Sequence, residues 1–255
     1  MQEIEHKIFV ILINLDIAKK RLFEIDKRLR RLGIKYVRLN AIDGKNYIYS
    51  KDEFNKKLYK ICNGKRISPG EIGCYLSHYN AIKLFLATGK EFTLILEDDA
   101  ILNLDFINVL INLINIKDFW DFVKFNTARD YGFGNIAVKK LFKEYKLYAS
   151  FFPKAFSTAY IINRKAAKSL YDRLLPMYIP FDHEMIKFWK YNIRQYSVFP
   201  SPVMVEYKDS FIETYGKKSQ KFPFYKRISV LFYRFFTQLK RSIYFYKLLN
   251  PWNKY

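Results

Sequence analysis

Cysteine is nearly absent from this chain. Cys62 and Cys74 are the only two in 255 residues, too few and too far apart for a metal knuckle or a disulfide framework. Nothing in that pair points to an oxidising compartment, so a reduced cytoplasmic setting is expected. Long apolar runs are missing too. No stretch approaches the roughly twenty apolar residues of a membrane-spanning helix, so the chain is expected to be soluble or held to a surface from outside. The run Ile8 to Ile13 follows Glu3, Glu5 and His6 rather than a basic leader, lacks a small-residue cleavage site, and stops at Asn14. It reads as a buried strand, not a signal peptide. The sequence shows no internal repeat and no low-complexity linker.

Acid is scarce as well. Asp and Glu number 24 against 45 Lys and Arg, a formal charge of +21, which implies attraction to a polyanion such as nucleic acid, anionic lipid or phosphorylated glycan. The imbalance is steepest at the end: beyond Glu213 there are ten Lys and Arg and no acid. There Ile228, Leu231, Phe232, Phe235, Phe236 and Leu239 recur at helical spacing among Arg227, Arg234, Lys240 and Arg241, the pattern of a basic amphipathic helix. The expected organisation is one domain over residues 1–216, large enough to bury a sizeable core, and a basic aromatic tail over 217–255 that associates with an anionic membrane surface.

What is present in the first 216 residues is an α/β pattern. The β-branched run IFVILI predicts a strand buried on both faces. Asp16 to Leu32 then has helical spacing, ended by Gly33, and Lys35 to Leu39 predicts a second strand. Such a unit belongs to a mostly parallel sheet, with ligands gathering beyond the carboxyl ends of its strands. Ser68, Pro69 and Glu71 form a helix start, predicting a helix from Pro69 to about Thr88. The run FTLIL, Phe92 to Leu96, then delivers Glu97, Asp98 and Asp99 where a buried strand leaves the sheet. Further strands are predicted over Asp121 to Phe125 and Phe156 to Asn163, with helices over Arg164 to Leu175 and Glu184 to Tyr191, the last with Asp182 as a candidate cap.

Three adjacent acids raise one another's pKa unless a cation compensates them. Oxygen-only ligands suit Mg²⁺ or Mn²⁺, which keep coordination positions open for a substrate's phosphates. By strand alternation Glu97 and Asp99 share a face and are the metal candidates, while Asp98 points elsewhere, toward a ribose or donor-sugar hydroxyl. A solvated turn is the simpler reading of the same three residues.

Several segments in order resemble glycosyltransferase family 25, the lipooligosaccharide galactosyltransferases. They are VILINLDIAKKR with Ile13, Asn14, Leu15 and Arg21; SPGEIGCYLSHYNAI with Gly70, Glu71, Gly73, Cys74, Ser77 and His78; ILEDDAIL; STAYIINRKAAKSL; and FDHEM with Asp182. The likeness runs from about Phe9 to about Glu213 and leaves out the tail. Ser157 stands where the family commonly has glycine.

The resemblance implies a GT-A-like, Rossmann-type nucleotide-sugar-binding domain that uses a UDP-sugar, usually UDP-galactose, and inverts to a β-linked product. It implies a lipid-anchored lipooligosaccharide or lipopolysaccharide core acceptor, on the inner face of a bacterial inner membrane. Glucose or N-acetylhexosamine are the alternative sugars. Asn14, Leu15, Arg21, Ser77, His78, Asp98 and Asn126 are the candidate donor contacts. Asp182 is the leading candidate for the base that takes the acceptor proton, ahead of Glu213 and His183. Each has a plainer reading: a helix cap for Asp182, a surface histidine for His183, a structural histidine for His78, a core residue for Cys74. The rival from another class is a nucleic-acid-binding protein, motivated by the charge and the abundant Tyr and Phe. No recognisable nucleic-acid module accompanies them, and no nucleic-acid partner is expected.

Overall fold

A computed structural model of the chain describes residues 6–125, 134–205 and 221–249. The run IFVILIN is β1 (Ile8–Asn14). It is followed by α1 (Lys19–Arg31), ended by Gly33 at φ 69°, and by β2 (Val37–Asn40). Next come α2 (Lys56–Asn63) and α3 (Pro69–Leu86). The chain continues through β3 (Phe92–Glu97), β4 (Ala100–Leu102), α4 (Phe106–Asn115) and β5 (Phe122–Lys124). Then follow the hairpin β6 (Asn135–Phe142) and β7 (Tyr145–Ser150), β8 (Ala159–Asn163) and α5 (Arg164–Arg173). Two short helices, α6 (Phe181–Glu184) and α7 (Phe188–Tyr191), lead to β9 (Gln195–Phe199), β10 (Val203–Val205) and α8 (Ile228–Leu249).

Eight strands form one mixed sheet in the order β2-β1-β3-β8-β5-β9-β7-β6. β1 pairs in parallel with β2 and β3, and β5 with β9, while β8 and β7 run against their neighbours. Both faces are covered. Along β3, Leu94 and Leu96 point to a core shared with Ile25 and Leu29 of α1 and Val109 and Leu113 of α4; Ile95 points to the opposite core, with Tyr75, Ile82 and Phe85 of α3 and Leu170 of α5. This two-sided burial is why β3 is apolar up to Glu97 except at Thr93, whose buried hydroxyl donates to the Phe9 carbonyl at 2.8 Å.

α3 starts as its sequence dictates. Ser68 Oγ accepts from Glu71 N, the Glu71 carboxylate accepts from Ser68 N, and Pro69 fills the first turn. Its N-terminal half is pressed onto the loop after β2, where a Cβ on Gly73 would lie 2.3 Å from the Ile42 carbonyl oxygen.

Two expectations are corrected. The single helix from Glu184 to Tyr191 is two short helices, because Glu184 is turned into the core, where its carboxylate accepts from Lys190 and Tyr191. Asp182 does not cap: Pro180 precedes the first turn, and Asp182 Oδ1 accepts instead from His183 N. The hairpin β6–β7 went unpredicted, since its turn is Lys143-Glu144 with Lys143 at φ 48° and carries none of the usual Gly or Asn signals.

α8 is docked on the body by one face. Val230 is buried, Ser229 Oγ donates to Ile61 O, Tyr233 bonds Lys187, and the Tyr244 hydroxyl donates to Ile193 O at 2.6 Å. The other face is an unbroken apolar stripe of Ile228, Leu231, Phe232, Phe235, Phe236, Leu239, Ile243 and Tyr246, each at least 48% exposed. Among the described residues no helix is long and apolar enough to cross a membrane.

Candidate functional site

The carboxyl ends of β1, β2 and β3 meet at a buried polar junction. Asn14 closes β1 with its side chain inside, donating from Nδ2 to Asp98 Oδ2 (2.7 Å) and to Ala18 O (3.3 Å). Its Oδ1 accepts from Arg38 Nε (3.0 Å), and Arg38 Nη2 reaches Asp16 Oδ1 (3.0 Å). Arg21, in the first turn of α1, brings Nη1 to 3.2 Å from Asp98 Oδ1. Leu15, half-buried, contributes backbone: its carbonyl accepts from Ala18 N. Burial raises the Asp98 pKa above its ordinary value, and Arg21 and Asn14 only partly offset that.

β3 ends at Glu97, and Asp98 and Asp99 lie in the turn before β4, so strand alternation does not extend to Asp99. Glu97 faces α3. Its Oε1 lies 3.2 Å from His78 Nε2 and accepts from Ser157 Oγ at 2.5 Å. Burial works against the ionised form, yet the hydrogen bond and charge of His78, with Ser157, hold the Glu97 pKa below the usual carboxylate value. His78 is fully buried. Its Nδ1 is 3.0 Å from the Tyr160 hydroxyl, and its ring stacks on Phe181 with centroids 4.1 Å apart and planes 3° from parallel. Ser77, by contrast, is committed to backbone: Oγ accepts from Ile42 N (2.8 Å) and donates to Gly73 O (2.6 Å), which fixes the loop after β2 against α3.

Asp99 carries the deficit a cation would relieve. Its Oδ1 is buried with no hydrogen-bond partner among the described residues, and burial together with the charges of Glu97 and Asp98 pushes its carboxyl up to about 7. Cys74 lies near these acids: after burial, the charges of Glu97, Asp182 and Asp99 are what raise its thiol. Donor atoms of Cys74, His78 and Glu97 lie within 4.8 Å of one another, a sulfur, imidazole and carboxylate set suited to a softer ion than Mg²⁺.

Asp182 is drawn toward the same region because Phe181, one residue earlier, is locked under His78 and also touches Tyr75 edge-on. His183 is exposed. Asn126 and Glu213 lie outside the described residues. The structure therefore gathers Asn14, Arg21 and Asp98 in one group and His78, Glu97, Asp99 and Asp182 in an adjoining one. Sequence reasoning missed Arg38, Tyr160 and Lys124. For Lys124 a signal existed, a lysine inside the apolar strand FVKF, and Tyr160 lay within the family-like segment STAYIINRKAAKSL; for Arg38 none did, since its role depends on a contact across the sheet.

A sequence model of the family described as "Glycosyltransferase family 25 (LPS biosynthesis protein)" matches residues 6–185. No curated protein matches in sequence. Among solved structures, a protein from STIV is similar with TM-score 0.45 at 13% identity, over 80% of this chain and 86% of that one. A glycosyltransferase involved in the glycosylation of the major capsid of PBCV-1 is similar with TM-score 0.32 at 12% identity, over 66% of this chain and 68% of that one.

Proposed function

The chain belongs to glycosyltransferase family 25, and from that premise we propose that it transfers a hexose, galactose from UDP-galactose first, onto a lipid-anchored lipopolysaccharide-type oligosaccharide with inversion to a β-linkage. One observation supports this reading above the others: at the carboxyl ends of β1 and β3, a buried Asn14–Asp98–Arg21 junction adjoins an acidic group that includes Asp99 Oδ1, which has no hydrogen-bond partner among the described residues. That is where an open α/β sheet places a nucleotide.

In this reading Asn14, Leu15 and Arg21 lie against the nucleotide, with Arg21 close enough to the acids to face the diphosphate as well. Asp99, with Glu97, would hold Mg²⁺ or Mn²⁺, which supplies charge neutralisation for the departing diphosphate. The acceptor hydroxyl oxygen attacks the anomeric carbon from the side opposite the diphosphate, whose bond to that carbon breaks with the electron pair leaving on the phosphate oxygen. The hydroxyl proton passes to Asp182, ahead of His183 and Glu213. His78 holds this arrangement from beneath, since its one ring contacts Glu97, Tyr160 and Phe181 together.

The apolar stripe of α8 is flanked by Arg234 on one side and Lys240 and Lys247 on the other, the pattern of a helix lying in an anionic membrane surface. Seated there, the enzyme meets a lipid-anchored acceptor in two dimensions, with each basic residue near the surface contributing about 1 kcal/mol.

The test is UDP release from a panel of UDP-galactose, UDP-glucose and UDP-N-acetylhexosamines, with truncated lipopolysaccharide acceptors and with Mn²⁺ or Mg²⁺ added or chelated. Asp99→Asn should abolish transfer and the response to metal with the fold intact. Asp182→Asn should lose turnover and keep UDP affinity. No turnover with any donor would remove the reading, and near-normal activity of Asp99→Asn would remove the metal assignment.

A further inference from the structure

The scheme above gives Cys74 no role and His78 a supporting one, yet both carry ligand chemistry to the same spot. They are four residues apart on α3, so the helix sets them one above the other on a single face. Glu97, at the end of β3, meets that face. One donor atom from each, a thiol sulfur, a ring nitrogen and a carboxylate oxygen, lie within 4.8 Å of one another. His78 Nε2 and Glu97 Oε1 are 3.2 Å apart. Two ligands held about 2.0 Å from one tetrahedral ion stand about 3.3 Å apart, so this pair is already spaced for it. Two ligands at this helical spacing, completed by a carboxylate from another element, hold zinc in sites that keep a fourth position open.

The surroundings fix these groups. Phe181 stacks under the His78 ring at 4.1 Å, and Nδ1 lies 3.0 Å from the Tyr160 hydroxyl. A hydroxyl accepts as readily as it donates. A ring with its proton on Nδ1 therefore gives it to Tyr160 and turns the bare Nε2 lone pair toward an ion, the arrangement by which a second hydrogen bond orients a ligating histidine. Ser157 Oγ steadies the Glu97 carboxylate in the same way. The cluster has an open edge, where the Glu97 side chain is 27% exposed and Cys74 is half-buried. Thiolate and imidazole favour Zn²⁺ or Co²⁺ over Mg²⁺, which prefers an all-oxygen octahedron.

We propose that Cys74, His78 and Glu97 form a site for a soft divalent cation, Zn²⁺ foremost, and that its binding shuts off the transferase by taking Glu97 away from the Mg²⁺ or Mn²⁺ held with Asp99. On binding, the Cys74 thiol releases its proton to water and its sulfur gives an electron pair to the ion. His78 and Glu97 complete three ligands, and a water takes the fourth position. The cation site stands on these three residues alone, whereas the inhibition rests on the transferase reading and on Glu97 as a ligand of the hard ion.

The untagged full chain, freed of metal by chelation, is titrated with Co²⁺, whose bond to a thiolate gives a charge-transfer band in the near ultraviolet. The band should appear in the wild type and in Cys62→Ala, which removes the other thiol. Stoichiometric Zn²⁺ should displace it, and excess Mg²⁺ should not. Cys74→Ala should lose the band while keeping the wild-type circular dichroism. Tyr160→Phe, which removes only the hydroxyl behind His78, should bind Zn²⁺ on the order of 10–100-fold more weakly. In the UDP-release assay with Mn²⁺, Zn²⁺ should inhibit the wild type, and the concentration for half inhibition should rise at least about 10-fold in Cys74→Ala. No thiolate band in the wild type, a band that survives in Cys74→Ala, or unchanged Zn²⁺ affinity in Tyr160→Phe would each overturn the site. The wild-type band and Tyr160→Phe decide this even if Cys74→Ala does not fold. Mn²⁺-dependent transfer that Zn²⁺ leaves unaffected would overturn the inhibition. A chain that binds Co²⁺ through Cys74 and turns over no UDP-sugar removes the transferase reading and leaves the cation site standing.

Discussion

Asp98→Ala is the substitution that most directly probes how the strand ends are tied together. The carboxylate bridges Asn14 Nδ2 at 2.7 Å and Arg21 Nη1 at 3.2 Å, and Asp98 is itself 8% exposed. Truncation strands a buried amide and removes the counter-charge of Arg21. Breaking a fully buried pair in this way costs about 3–5 kcal/mol. Two features reduce that figure. Arg21 retains 27% of its side-chain exposure and recovers hydration, and Asn14 keeps Ala18 O and Arg38 as partners. About 2–3 kcal/mol is therefore expected. For a chain of this size that lowers Tm by roughly 4–12 °C. Asp98→Asn, which keeps one acceptor for Asn14, should cost about 1 kcal/mol. Urea unfolding of both variants gives the stabilities, and UDP calorimetry should show weaker binding in Asp98→Ala as the ends of β1 and β3 loosen. Stability of Asp98→Ala within about 0.5 kcal/mol of wild type, the range of an ordinary surface change, would refute the claim that this carboxylate ties the strands.

Three further outcomes follow from other parts of the molecule. Asp121 is buried and accepts from Arg194 N, Nε and Nη2 and from Asn163 Nδ2. Burial raises its pKa, but these bonds outweigh that and hold it below the ordinary value. A depressed folded pKa gives stability above the unfolded value that disappears as pH falls through the folded one. Asp121→Asn should thus be clearly less stable at neutral pH, with the gap from wild type closing below about pH 4; a gap constant with pH in denaturant titrations counts against it. Gly73→Ala sets a methyl against the Ile42 carbonyl oxygen, so α3 and the loop after β2 must separate, costing about 1–3 kcal/mol or more; an unchanged Tm would show that the contact yields freely. Phe232→Ser with Phe235→Ser, both on the exposed stripe, should leave melting unchanged and sharply reduce pelleting with anionic liposomes. This pair is a cleaner probe than deleting the tail, because deletion would uncover the groups that Val230 and Tyr244 meet.

Local chemistry made much of the fold legible. The capping box at Ser68 and Glu71, the glycine after α1, and the largely apolar runs of β1 and β3 act through neighbouring residues, so the sequence alone placed those elements and put the acids at a strand end. The amphipathic period of α8 was legible for the same reason. The direction in which each acid points was not. Glu97 turns to His78 and Ser157, and Asp98 to Arg21 and Asn14, because β3 stops between them and different neighbours wait on each side. Ser157, a departure from the family pattern in sequence, became a partner of Glu97 only when β8 was laid beside β3. The break between α6 and α7 likewise depends on the inward Glu184, whose partners Lys190 and Tyr191 form a site that helical periodicity does not reveal. Hydrophobic period and caps are short-range and survive in one dimension. Pairing of buried charges is decided by which strands become neighbours, and only the tertiary structure brought Asp98 to Arg21 and Asn14 and set one face of α8 against the body.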